Sequence, residues 1–193
     1  GGKLIFPLGR YVSGTLHLLS GVTLHLESGA VLLGSNNPYD YDREPGLNTA
    51  FLLARGQKNI GVTGEGLIDC RGRQTAYNLV DLIHRGLVDD RLGLDRSNES
   101  IRPMIFYFRE CVGVTVEGIS LKNSASWVQT YDQCKNLKID RINVESNAYW
   151  NNDGLDIVDC ENVTVTNSYF DASDDAICLK SHSGAHMCRN ILI

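Results

Sequence analysis

The densest acidic groups of this 193-residue chain are Asn151-Asn152-Asp153-Gly154-Leu155-Asp156 and Ser173-Asp174-Asp175-Ala176-Ile177. Carboxylates gathered at one point repel one another unless one keeps its proton. Two carboxyl groups in different protonation states are equipment for general acid–base chemistry. Asp153 and Asp174 are 21 residues apart. A fold that repeats near that length sets them on neighbouring coils, one strand spacing (about 4.8 Å) apart. Asp174 and Asp175 are adjacent, and on a regular strand they point to opposite faces. Both reach one cleft only if the backbone bends near Ala172-Ser173. Asp156 is expected to brace the turn that carries Asp153. Two other readings stay open at this level: Asn-Asp-Gly is an ordinary turn sequence, and hard cations such as calcium take grouped carboxylates.

The repeat that this arrangement needs is present. Cys111-Val112-Gly113-Val114-Thr115-Val116, Cys134-Lys135-Asn136-Leu137-Lys138-Ile139, Cys160-Glu161-Asn162-Val163-Thr164-Val165 and Cys188-Arg189-Asn190-Ile191-Leu192-Ile193 share one pattern, with the cysteines 23, 26 and 28 residues apart. Weaker copies begin at Asn59 and Gly21. Alternation of period two is a strand signal, and Asn or Gly ahead of it suits a corner in the left-handed region. A unit this short buries its apolar face only by stacking on its copies. An antiparallel sandwich predicts no fixed-register repeat, and the leucine and asparagine spacing of leucine-rich repeats is absent. The pattern therefore predicts an all-β, right-handed parallel β-helix, a solenoid in a single domain. Val114/Val116, Leu137/Ile139 and Val163/Val165 are expected to point inward in stacked rows. No helix of ten residues or more is expected, although Tyr77 to Val88 has room for a short one.

Residues 36–50 and 71–103 are polar and out of register, and insertions in a solenoid become loops on one rim, either a binding rim or plain surface. Six cysteines without a Cys-x-x-Cys pair do not read as a metal site. Four of them at one repeat position read as a ladder of buried free thiols. The chain has 18 basic and 23 acidic residues, a formal net charge of -5, which argues against a nucleic-acid binder. No apolar run reaches the roughly 18 residues of a membrane-spanning helix. The chain enters and leaves in strand-like segments, so it reads as a piece of a domain truncated at both ends.

These segments resemble glycoside hydrolase family 28, the polygalacturonases and related pectin hydrolases. The family's Asn-x-Asp-Gly-x-Asp motif is matched by Asn151 to Asp156, and its Asp-Asp pair by Asp174-Asp175. Its Asn-Ser-Pro-x-Trp segment is matched by Asn123-Ser124-Ala125-Ser126-Trp127, with alanine in place of proline. Gly2 to Pro7 and Leu24 to Ala30 are similar to the family's opening coils. The Gly-His-Gly and Arg-x-Lys of the family pattern do not occur in the chain, and His182 and His186 read as loop residues.

The resemblance implies inverting hydrolysis of α-glycosidic bonds in pectic polysaccharide, with no cofactor and no metal. Asp174 becomes the general acid, its pKa held up by its two acidic neighbours. Asp153 and Asp175 hold and deprotonate the attacking water. Asn151, Lys180, Tyr149 and Trp150 become candidates for substrate binding: Lys180 for a uronate carboxylate, the two aromatic residues for a sugar-stacking face. The expected partner is galacturonan, rhamnogalacturonan or a related pectin. No nucleic acid or membrane is expected as a partner, and the expected location is secreted or periplasmic. The long insertions favour exo action by walling off one end of a groove. A polysaccharide lyase on the same fold and a non-catalytic carbohydrate-binding β-helix are the alternatives.

Overall fold

A computed structural model describes residues 1–43, 47–90, 96–182 and 184–193. The chain winds repeatedly through three parallel sheets of seven, six and six strands. Successive coils each contribute one strand to each sheet, as in Lys135–Asp140, Asn143–Ser146 and Asp156–Val158 followed by Glu161–Thr166, Tyr169–Ala172 and Cys178–Lys180. This is the expected parallel β-helix. Each strand pairs in register with its counterpart one coil away, so Leu24, Val62, Val116, Ile139 and Val165 form one inward row. Ile60, Val114, Leu137 and Val163 form a second row. Every member of both rows is buried.

The corner before the first sheet explains the Asn/Gly signal. Asn59, Asn136, Asn162 and Asn190 have φ between 54° and 59°, and Gly21 and Gly113 sit at φ 74° and 73°. Asn and Gly enter this region at least cost. The asparagines also stack: Nδ2 of Asn162 donates to Oδ1 of Asn136 at 3.0 Å, and Nδ2 of Asn190 to Oδ1 of Asn162 at 2.9 Å. At Gly113 a Cβ would lie 2.7 Å from Oδ1 of Asn59, so the ladder leaves no room for a side chain there.

All six cysteines are free. The backbone N–H groups of Cys111 and Cys134 point at the sulfurs of Cys134 and Cys160, at 3.4 and 3.3 Å. These three rungs are buried as expected. Cys188, on the last coil, is only half-buried, which corrects the expectation of four equivalent buried thiols.

Both predicted insertions leave the solenoid at the corner between the second and third sheets; residues 44–46 and 91–95 within them lie outside the described residues. The second insertion contains a 13-residue helix, Gly72–His84, longer and earlier than expected. Its buried side is Gly72, Thr75, Ala76 and Leu79. The spacing is the helical i, i+3, i+4, i+7, but only Leu79 among them is strongly apolar, so the sequence carries little hydrophobic signal. The helix starts hard against the solenoid. The N–H of Gly72 donates to the carbonyl of Asn123 at 2.7 Å, and a Cβ at Gly72 would stand 2.1 Å from the carbonyl carbon of Ser124.

Truncating an inward row should open a cavity that rigid neighbouring coils cannot fill. Leu137→Ala should lower unfolding stability by about 2–5 kcal/mol in denaturant titrations. All six thiols should react in denaturant without reductant, with Cys111, Cys134 and Cys160 protected in the folded protein.

Candidate active site

The acids sit at the same corner between the second and third sheets, on two successive coils separated from the insertions by the coil that carries the Asn123–Trp127 turn. Residues 173, 174, 176 and 177 are bends, and this break in the strand turns both adjacent aspartates to one side. Asp153, Asp174 and Asp175 each offer a carboxylate oxygen within 4.8 Å of the others. The two coils are laced together, with the N–H of Gly154 donating to the carbonyl of Asp175 at 2.8 Å. Glycine is needed at 154 because a Cβ would lie 2.6 Å from the carbonyl oxygen of Ala176.

Burial divides the acids. Asp174 and Asp175 are exposed, whereas Asp153 is 5% exposed and Asp156 fully buried. Lys180 serves both buried acids: its Nζ lies 3.1 Å from Oδ2 of Asp153 and 2.6 Å from Oδ1 of Asp156. It also stands 3.5 Å above the centre of the Trp127 ring, a cation–π arrangement. The lysine expected to meet substrate is thus turned to the acids of its own chain. Oδ1 of Asp153 and Oδ2 of Asp156 have no hydrogen-bond partner. Burial raises the Asp153 pKa, opposed by Lys180 and reinforced by the charge of Asp174. Burial pushes Asp156 up to about 7, again against the pull of Lys180. The pairing keeps the Lys180 pKa above its ordinary value despite burial. Asp156 is thus buried three residues after Asp153 and shares Lys180 with it.

Asn151, Tyr149 and Trp150 line a cleft of about 470 Å³ that also includes Asp174. Trp150 is exposed and Tyr149 half-buried. Asn151 has φ 58°, and its Oδ1 accepts from Nη2 of Arg102 at 2.7 Å, so its amide holds the turn. Arg102 is a residue that the sequence reading missed. It is fully buried, yet among the described residues it donates only to neutral acceptors: the carbonyls of Ser97 (3.1 Å), Ala125 (2.8 Å) and Trp150 (2.6 Å), besides Asn151. Burial lowers its pKa to about 10. Its guanidinium also lies 5.2 Å from the Tyr149 ring centre. Asn152, also missed, is a buried amide whose Oδ1 accepts from the Ser146 hydroxyl and the Ala148 N–H and whose Nδ2 donates to the carbonyls of Ser124 and Ser126. Nothing in a single sequence marks which arginine is buried, and Asn152 reads there as a turn residue. His182 and His186 are exposed.

The raised Asp156 pKa makes a pH prediction. The ordinary carboxylate value of the unfolded chain is about 3.9. A folded value raised to about 7 means that protonation favours the fold: the contribution is complete below about pH 4 and is lost as pH rises through about 7. Asp156→Asn removes this titration. Unfolding free energies measured from pH 4 to 8 should shift progressively in the variant's favour relative to wild type, and parallel pH profiles would show that Asp156 does not titrate there.

Known proteins resemble this chain in sequence and in fold. The chain is 27% identical over 207 residues to a probable exopolygalacturonase B of Aspergillus flavus, covering all of this chain and 45% of that protein. It superposes with a TM-score of 0.85 and 29% identity on a Parabacteroides merdae protein assigned as a glycosyl hydrolase, covering 100% of this chain and 80% of that one. With the family 28 exopolygalacturonase of Yersinia enterocolitica the TM-score is 0.82 at 25% identity, over 92% of this chain and 38% of that one. The chain spans less than half the length of the curated relatives it matches. The sequence profile of the glycosyl hydrolases family 28 matches residues 6–193, nearly the whole chain including the acidic corner, and the chain belongs to that family.

Proposed function

We propose that the protein hydrolyses α-glycosidic bonds in a pectic polysaccharide such as galacturonan, with inversion at the anomeric centre. The observation that carries this reading is the convergence of Asp153, Asp174 and Asp175 within 4.8 Å in a chain of this family. Asp174 is exposed at the cleft, where its proton can pass to the leaving glycosidic oxygen. Asp153 and Asp175 take the proton of the attacking water. Oδ2 of Asp153 is held by Lys180, which orients the carboxylate, and its Oδ1 is buried without a hydrogen-bond partner. Lys180 also favours the ionised form that a base needs.

Inverting pairs usually stand about 6.5–9.5 Å apart, with a water between them. The closer grouping here fits a water held beside two carboxylates, and the stereochemistry of the product tests that point directly. The polygalacturonase names of relatives support a pectic substrate and, with it, a secreted or periplasmic location. They do not favour the lyase alternative.

In the full-length protein, Asp174→Asn keeps shape and removes the transferable proton. Turnover should fall about 10²–10⁴-fold, with an unchanged melting temperature and little change in affinity. NMR early in wild-type hydrolysis should show inverted product. Retained configuration, or near-normal turnover of the variant, would overturn the assignment.

A further inference from the structure

We propose that the cleft between the helix Gly72–His84 and the Tyr149–Asn151 turn is a uronate subsite, in which Arg73 binds the sugar carboxylate and Tyr77, Tyr149 and Trp150 form the apolar wall. This rests on the pectic reading above and names the residues of the insertion that serve it. The cleft, about 470 Å³, has Asp174 at its edge and Arg73 and Tyr77 on the helix side. That size suits a sugar-sized ligand enclosed by aromatic faces with a few polar groups to orient it.

Charge makes the argument specific. A uronate approaching Asp174 meets Asp153 and Asp175, each with a carboxylate oxygen within 4.8 Å, and like charges repel its own carboxylate. Lys180 does not offset this, because both its acidic partners are already in the chain. Among the described residues Arg73 is the basic side chain that lines the cleft, whereas Arg96 lies outside that lining, 5.4 Å from the centre of the Trp150 ring; Arg73 is exposed and makes no ion pair among the described residues. A guanidinium presents a planar fork that matches a carboxylate with two hydrogen bonds.

Both walls are fixed before any ligand arrives. On the helix side, Arg71 Nε donates to the carbonyl of Gly34 and Asn78 Nδ2 to that of Asn36, each at 2.7 Å, and Gly72 abuts Ser124. On the opposite side the buried Arg102 holds Trp150 and Asn151. Tyr77 meets Tyr149 edge-on, with ring centres 5.8 Å apart. Walls held in this way lose little freedom on binding.

The test uses the full-length protein and oligogalacturonate. Arg73→Gln should raise KM about tenfold or more, as expected for a lost charge-assisted hydrogen bond, with a much smaller change in kcat. Arg73→Lys should recover part of the loss. Added salt should raise KM more steeply for wild type than for Arg73→Gln, because the ion pair is screened. An unchanged KM, or a fall in kcat alone, in a variant that melts normally would overturn the subsite while leaving the hydrolase reading standing. A wild-type protein that does not cleave galacturonan would overturn both.

Discussion

Each strand of this protein hydrogen-bonds to its counterpart one coil away, and that parallel register governs everything else. A residue's place around the coil is then inherited by its equivalents above and below. Apolar positions become inward rows, and asparagines become a ladder whose amides donate along the axis. Corners stack on corners, so loops distant in sequence share one rim. Asp153 and Asp175 meet because Asp156 pairs with Cys178 in the third sheet, which places the preceding segments side by side.

The same register forces charges together, and the protein manages them unequally. Taking carboxylates out of water is costly unless each finds a partner. Asp153 and Asp156 share one lysine, and one oxygen of each is left without a hydrogen bond. Burial pushes the Asp156 pKa up to about 7, and one ammonium shared between two acids only partly offsets it. The exposed acids, Asp174 and Asp175, are left to solvent. Arg102 shows the converse solution: a buried cation satisfied by three carbonyls and an amide, which anchors backbone without cancelling any charge at the acids.

What the sequence showed depended on repetition. The pattern of Cys, any residue, then Asn or Gly recurs four times, so corner, strand and inward face could all be read from it, and the acids stood out because two motifs lay one coil apart. Features that occur once were not legible. The helix Gly72–His84 buries glycine, threonine and alanine with a single leucine, and at Gly72 its close seat on Ser124 excludes any side chain. Lys180 was visible as a cation near the acids, but the direction of its side chain is a tertiary fact. Arg102 differs from the chain's other arginines only in what folds around it. Cys188 carries the repeat signature, yet its burial depends on its place in the stack.

The division between repeated and singular features also separates scaffold from site. Inward rows and ladders recur on successive coils, and each copy supports the next. The corner between the second and third sheets instead varies from coil to coil. It is expanded at 36–50 and 71–103, shortened to the Asn123–Trp127 turn, and then bent to present the acids. The expanded loops precede the acidic coils along the axis, on the N-terminal side of the trio. The wall that Arg73 and Tyr77 contribute is therefore set by insertion length on an earlier coil, whereas the position of Asp153, Asp174 and Asp175 is set by strand register. Changes in the first can alter what enters the cleft without moving the second.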